Sequence, residues 1–161
     1  MPELLTIGVY GYDEAGFFQA LQQAGVDTFC DLRARRGVRG AAYAFANSQR
    51  LQQRLAELGI RYLHLPDLAP SPTLRQTQAA ADKAEKIGRR QRTLLSPAFI
   101  AGYTRQVLAP FDTGAFFAAL PAGAQVIALF CVERDPAACH RSLLAARIAQ
   151  DAALPLRHLL P

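Results

Sequence analysis

The sequence predicts an α/β fold. The expected form is a single domain over residues 1–161, with a mainly parallel sheet of about five strands and helices on both faces, in a Rossmann-like three-layer arrangement. Three observations carry this. The chain has 161 residues, 51% hydrophobic and 19% charged, which is one domain with a real core. Short apolar runs alternate with stretches of helical periodicity, the pattern of strand–helix–strand crossovers. And Val126 to Val132 is a continuous apolar run, as in a strand buried on both faces of a parallel sheet.

Each element follows from local signals. Leu4 to Val9 reads as a strand, and Asp13 N-caps a helix to Ala24 with Phe17, Phe18 and Leu21 on its apolar face. Gly25 stops that helix, and Val26 to Leu32 is a second strand. An arginine-rich loop runs from Arg33 to about Phe45. Asn47 or Ser48 then caps a helix with Leu51, Leu55 and Leu58 in register. Gly59 ends it before a third strand, Ile60 to Leu65. Residues 66–72 hold three prolines and form an irregular loop. A helical insertion, about 73–120, follows: helices near Thr73–Gln91 and Ser96–Leu108, then one from Asp112 to Leu120. After the strand at Val126 come a helix from Asp135 to Gln150 and a short strand, Leu156 to Leu160.

Composition excludes several classes. No apolar run approaches the ~20 residues of a membrane span. The start, Met1-Pro2-Glu3, lacks the features of a signal peptide. Three cysteines without a close-spaced framework point to reduced thiols, hence a cytoplasmic setting. There is no Gly-x-Gly-x-x-Gly and no phosphate loop, so no nucleotide cofactor is expected.

The formal charge is +5. The arginines cluster: Arg33, Arg35, Arg36 and Arg39 stand within seven residues, and Lys83, Lys86, Arg89, Arg90 and Arg92 form a second run. The first cluster suits an anionic small molecule, because guanidinium forks match phosphate and carboxylate. The second reads as the solvated face of a helix whose Ala79, Ala80, Ala84 and Ile87 point inward; nucleic-acid binding through it is possible but not favoured.

Parallel sheets bind ligands beyond the carboxyl ends of their strands. That edge selects Val9-Tyr10-Gly11, Asp31-Leu32-Arg33, His64-Leu65-Pro66 and Cys131 to Arg134. The densest chemistry is Cys131-x-Glu133-x-Asp135-Pro136-x-x-Cys139-His140-Arg141-Ser142. With Asp135 as N-cap and Pro136 following, Cys139 and His140 fall in or just after the first helical turn. The positive end of the helix and Arg141 then favour a thiolate, and His140 is its acid–base partner. The candidate catalytic residues are thus Glu133, His140, Cys131 and Cys139, and the candidate ligand-binding residues Asp31, Arg33, Arg39, His64 and Arg141. No metal is expected. Seven residues part Cys131 from Cys139, no Cys-x2-Cys exists, and Cys30 would join only if its strand neighbours that of Cys131. His64 alternates with apolar residues and suits a core histidine equally well, and His158 reads as structural. Tyr10 and Tyr12 could stack on a ring.

This string resembles the signature of the family called domain of unknown function 488. Supporting pieces are Thr6-Ile7-Gly8, Asp31-Leu32-Arg33, Tyr62-Leu63-His64-Leu65-Pro66 and Leu68-Ala69-Pro70-Ser71. Val9-Tyr10 replaces the family's usual His-Ser or Tyr-Ser. The resemblance implies one α/β domain with a site at the strand ends, and little about the reaction. A fainter likeness is to rhodanese-type sulfurtransferases, although Glu133 and Asp135 would repel a persulfide. Three functions follow as expectations: an enzyme acting on a phosphorylated, nucleotide-like or other anionic small molecule; a sulfur-transfer or redox thiol protein using Cys131 and Cys139; and a non-enzymatic nucleic-acid or partner-binding module. The first two need the loop of late cysteines and the arginine loop to share a cleft.

Overall fold

The computed structural model describes residues 1–161. Five strands form one sheet: β1 (Glu3–Ile7), β2 (Thr28–Asp31), β3 (Arg61–His64), β4 (Val126–Phe130) and β5 (Leu156–Leu159). Their order is β3-β2-β4-β1-β5, and every pairing is parallel. The predicted sheet is therefore present, with strands one to three residues shorter than the apolar runs suggest. In particular Cys131 and Val132 lie beyond the end of β4, where Val132 O accepts from Val9 N and Tyr10 N.

Side-chain alternation builds the layers. Leu5, Ile7, Phe29, Ala128 and Phe130 face one side, where α1 (Glu14–Gln23) and α2 (Ser48–Glu57) supply Phe17, Phe18, Leu21, Leu51 and Leu55. Leu4, Cys30, Ile127 and Leu129 face the other. There α3 (Pro72–Ala84), α4 (Pro97–Tyr103), α5 (Thr113–Ala119) and α6 (His140–Ala152) supply Leu74, Phe99, Tyr103, Phe116, Leu144, Ala145 and Ile148. Two-residue periodicity of the strands thus yields two cores, one on each face. No helix is long and apolar enough to cross a membrane.

Neighbours β1 and β4 send their following helices to opposite faces, α1 to one and α6 to the other. In open α/β sheets such a divergence opens the place where ligands bind. At the opposite edge, Asp27 ties the strand starts together: Oδ2 accepts from Gln125 N and Val126 N, and Oδ1 from Arg61 and Thr28.

Three helical expectations need correction. The long helix to Gln91 stops at Ala84, closed by Ile87 N donating to Asp82 O and Lys86 N to Lys83 O, with Lys86 at φ +56°. That cap usually takes glycine. Its inward residues are Leu74 and Gln78, while Ala79, Ala80, Ala84 and Ile87 are exposed. The reason is polar: Gln78 accepts from Ser96 N and donates to Asp82, and Asp82 pairs with Arg92. The helix after Tyr103 widens into one π turn, Thr104–Leu108. And α6 starts at His140, not Asp135. Pro136–Ala138 is a separate 3-10 turn, because Leu95 N and the Arg92 guanidinium take the carbonyls of Ala137 and Ala138.

Candidate functional site

Cys139 is the N-cap of α6, with extended backbone at φ −137° and ψ 144°. Its carbonyl accepts from Ser142 Oγ. The helix behind it is 13 residues long, so its end carries about half a positive charge. Cys131 leaves β4 and meets the same spot. Cys131 Sγ, Cys139 Sγ and His140 Nδ1 all lie within 4.8 Å of one another. Cys139 Sγ is 3.8 Å and Cys131 Sγ 3.9 Å from His140 Nδ1, and Cys131 Sγ donates to Glu133 Oε2 at 3.5 Å. All four predicted catalytic residues therefore form one cluster, at 1–5% exposure.

The electrostatics separate the two thiols. Hydrogen bonding with Cys139, followed by burial, pushes the Cys131 thiol well up. Burial pushes Cys139 up too, but the bond from Cys131, the His140 ring and Arg141 together outweigh it and hold that thiol well below its ordinary value. The two neighbouring thiols are thus pushed in opposite directions, Cys131 towards the thiol form and Cys139 towards the thiolate. Burial and the charge of Cys139 raise the Glu133 carboxyl, while Arg89, Arg92 and His140 pull it the other way.

Two of these neighbours come from the basic run read as a solvated helix face. Arg92 is half-buried and bridges Asp82 Oδ2 at 2.7 Å and Glu133 Oε1 at 3.1 Å; Arg89 Nε reaches the same Oε1 at 3.2 Å. The helix stops at Ala84, so the residues after it turn back onto the site. Arg92 and Asp82 could have been paired from sequence only if that break had been seen. Gly8 is the other missed residue. A Cβ on it would sit 1.8 Å from Glu133 O, so only glycine lets β1 pass this close.

The predicted ligand-binding residues divide. Asp31 and Arg33 form a buried pair, with Arg33 Nε on Oδ1 and Nη2 on Oδ2, and Tyr62 OH donating to Oδ2. Arg33 lies over the Phe130 ring at 4.7 Å, beside the end of β4, and its Nη1 is buried without a partner. Arg141 is fully buried. Its Nη1 and Nη2 donate to the carbonyls of Glu133 and Arg134, so it braces the cysteine loop from inside. Arg39 is exposed, and its carbonyl accepts from Arg90 Nη2 at 3.0 Å. His64 is outside the cluster; its Nε2 meets Arg33 O at 2.7 Å, and it borders a cleft with Phe111 and Phe116. His158 has a structural partner in Thr6 Oγ1. Tyr10 packs on Tyr43, and Tyr12 on Phe17. The 89–92 turn links the two loops, with Arg90 on Arg39 O and with Arg89 and Arg92 on Glu133.

For a metal, Cys131, Cys139 and His140 are a soft donor set that the seven-residue spacing did not suggest. Cys30 does not join it. Its strand neighbours β4, but its side chain points into the other core opposite Leu129, and burial pushes its thiol up to about 12. Two guanidiniums, Arg92 and Arg141, and a helix N-terminus surround the three donors. That field favours a thiolate more than an added cation.

No curated protein and no solved structure matches the chain. A family model, Domain of unknown function DUF488, matches residues 15–148 and so includes Asp31, Arg33, the Cys131–Cys139 loop and most of α6. With most of its length covered, this chain belongs to the DUF488 family.

Proposed function

We propose that this chain is a thiol-based redox protein in which Cys139 is the attacking thiolate and Cys131 the resolving thiol. The Cys139 thiolate attacks one sulfur of a substrate disulfide, and the other sulfur leaves as a thiolate. The Cys131 thiol then attacks Cys139 Sγ. Its proton passes to Glu133 or to the departing sulfur, and the first substrate sulfur leaves. The substrate is reduced by two electrons to two thiols, and the protein dithiol becomes an internal disulfide. A low-molecular-weight thiol restores it.

The observation that carries this reading is geometric: two sulfurs and one imidazole within 4.8 Å of one another, at the positive end of a 13-residue helix. The Glu133 carboxylate, held by Arg89 and Arg92, is the nearest proton acceptor. The test is equilibration in graded glutathione buffers, followed by acid quenching and peptide mapping. Expected is a Cys131–Cys139 disulfide formed ahead of any linkage through Cys30. Both thiols remaining reduced at every ratio would overturn the proposal.

A second reading is an enzyme acting on an anionic small molecule, with Glu133 and His140 as acid–base groups. It is favoured by two buried atoms without partners, Arg33 Nη1 and His140 Nε2. Arg141 gives Nη1 and Nη2 to carbonyls and keeps only Nε unpartnered, so Arg33 Nη1 and Arg141 Nε are the guanidinium donors left to meet an anion. A phosphorylated or nucleotide compound at ~100 times its Kd would raise Tm by about 5–10 °C. A flat thermal-shift screen over such compounds would reject this reading.

A further inference from the structure

Of the 18 lysines and arginines, nine form an ion pair with a carboxylate. Six of the other nine stand on two segments only: Arg35, Arg36 and Arg39 after β2, and Lys83, Lys86 and Arg90 in the last turn of α3 and after it. The two segments meet. Arg90 donates to Arg39 O at 3.0 Å and lies 5.1 Å from the centres of both the Tyr10 and Tyr43 rings. Arg36 reaches Tyr62 OH at 3.5 Å. All are exposed except Arg36, which is half-buried. Nearby acids do not neutralise them: Asp31 is taken by Arg33 and Tyr62, and Glu133 by Arg89 and Arg92. Glu85 alone remains on these segments, exposed between Lys83 and Lys86.

The two segments adjoin where Arg90 bonds Arg39 O, and like charges there repel one another within a Debye length of about 8–10 Å. One of them is also held against local preference. Lys86 occupies the left-handed cap position of α3, where glycine costs least. A surface kept in this form favours a ligand with several spaced negative charges. A small phosphorylated molecule would instead call for a concave pocket with convergent donors. Two clefts, one lined by His64 and Phe111 and one by Asn47 and Gln53, include none of these six cations in their walls.

We infer that this lip, Arg35, Arg36, Arg39, Lys83, Lys86 and Arg90, binds the phosphate backbone of a nucleic-acid strand. The inference does not depend on thiol reactivity. The cations touch successive phosphates at the rim of the carboxyl edge, and the tyrosines beneath Arg90 hold its guanidinium in place. Contacts of this kind set affinity and position without reading sequence.

The test is fluorescence anisotropy with a labelled 20-nucleotide single-stranded DNA of mixed sequence, titrated from about 50 to 200 mM salt. With about four phosphates neutralised, affinity falls about 50-fold across that range. Arg39→Gln lowers affinity and flattens the salt slope, while Arg105→Gln, an equal loss of charge on an exposed residue of another element, leaves the slope unchanged. Lys86→Gly gives a more stable protein that binds more weakly, which separates the lip from any folding defect. Equal effects of Arg39→Gln and Arg105→Gln would overturn the inference, as would binding of a nucleoside triphosphate but not of the oligonucleotide, or no binding at 50 mM salt.

Discussion

Gly8→Ala tests how β1 and the cysteine loop are joined. The added methyl would stand 1.8 Å from Glu133 O, 2.8 Å from the Glu133 carbonyl carbon and 3.0 Å from Arg141 Nη1. A close carbon–oxygen contact is ~3.3 Å, so the carbonyl must retreat by about 1.5 Å. The obstacle is backbone and cannot be relieved by a rotamer change. The same oxygen accepts from Arg141 Nη1 at 2.6 Å, inside a fully buried site. Overpacking costs about 1–3 kcal/mol, and losing a buried hydrogen bond to a charged group about 1.5–3 more. Together roughly 4 kcal/mol is expected, a large part of a domain's ~5–15 kcal/mol. For this length that is a fall in Tm of about 8–16 °C. Urea and thermal unfolding by circular dichroism measure it. A change below about 2 °C would show that the loop is not pressed against β1, and the bracing role given to Arg141 would fall with it.

Other predictions concern the buried charges. Arg92→Met strips Asp82 and Glu133 of a shared partner and costs about 3–5 kcal/mol at pH 7. The Glu133 carboxyl is already raised by burial, so it binds a proton more readily folded than unfolded. The loss in Arg92→Met therefore shrinks as pH falls towards 5, and a loss independent of pH would contradict the pairing. For Asp27, burial raises the carboxyl but the bonds from Thr28, Val126, Gln125 and Arg61 lower it further. Its contribution is present above the unfolded pKa of ~3.9 and fades as pH drops through the lower folded value. Asp27→Asn should thus destabilise at pH 7 and approach the wild type as the pH falls below the unfolded value, as read by urea midpoints. Tyr62→Phe removes one bond to Asp31 and costs about 1–2 kcal/mol; no measurable cost would show that the hydroxyl donates elsewhere. Lys86→Gly relieves the left-handed cap and stabilises by up to about 1 kcal/mol, and an unchanged Tm would argue against strain there.

Strand identity was legible because Leu4, Leu5, Phe29, Cys30, Ile127 and Phe130 sit in runs whose alternation survives into two cores. The cysteine cluster was legible for a related reason. Cys131, Glu133, Cys139 and His140 lie within ten residues, and a strand end followed by a helix start brings such a segment to one place. Strand order was not legible, because crossovers of these lengths allow several orders. The start of α6 was misplaced because Asp135-Pro136 imitates a cap, and the carbonyl contacts from Leu95 and Arg92 that end that turn are long-range. Arg141 and Arg33 resemble ligand donors in sequence, yet most of their donors are taken by the protein's own oxygens, leaving Arg141 Nε and Arg33 Nη1 without partners. The same long-range effect hid Arg92. Its partners lie 10 and 41 residues away, and only the break after Ala84 lets it reach them.

The most direct test of the dithiol is the pH dependence of alkylation by iodoacetamide in the native protein, resolved by peptide mapping. Cys139, 1% exposed at the N-terminus of α6, should be labelled first through local opening of that end, with an inflection well below the ~8.5 of a free thiol. Cys131 should follow at higher pH. Cys30, sealed in the opposite core, should remain unlabelled until unfolding and so report that the fold is intact. Labelling of Cys139 only above pH ~8.5, or only together with Cys30, would contradict the account.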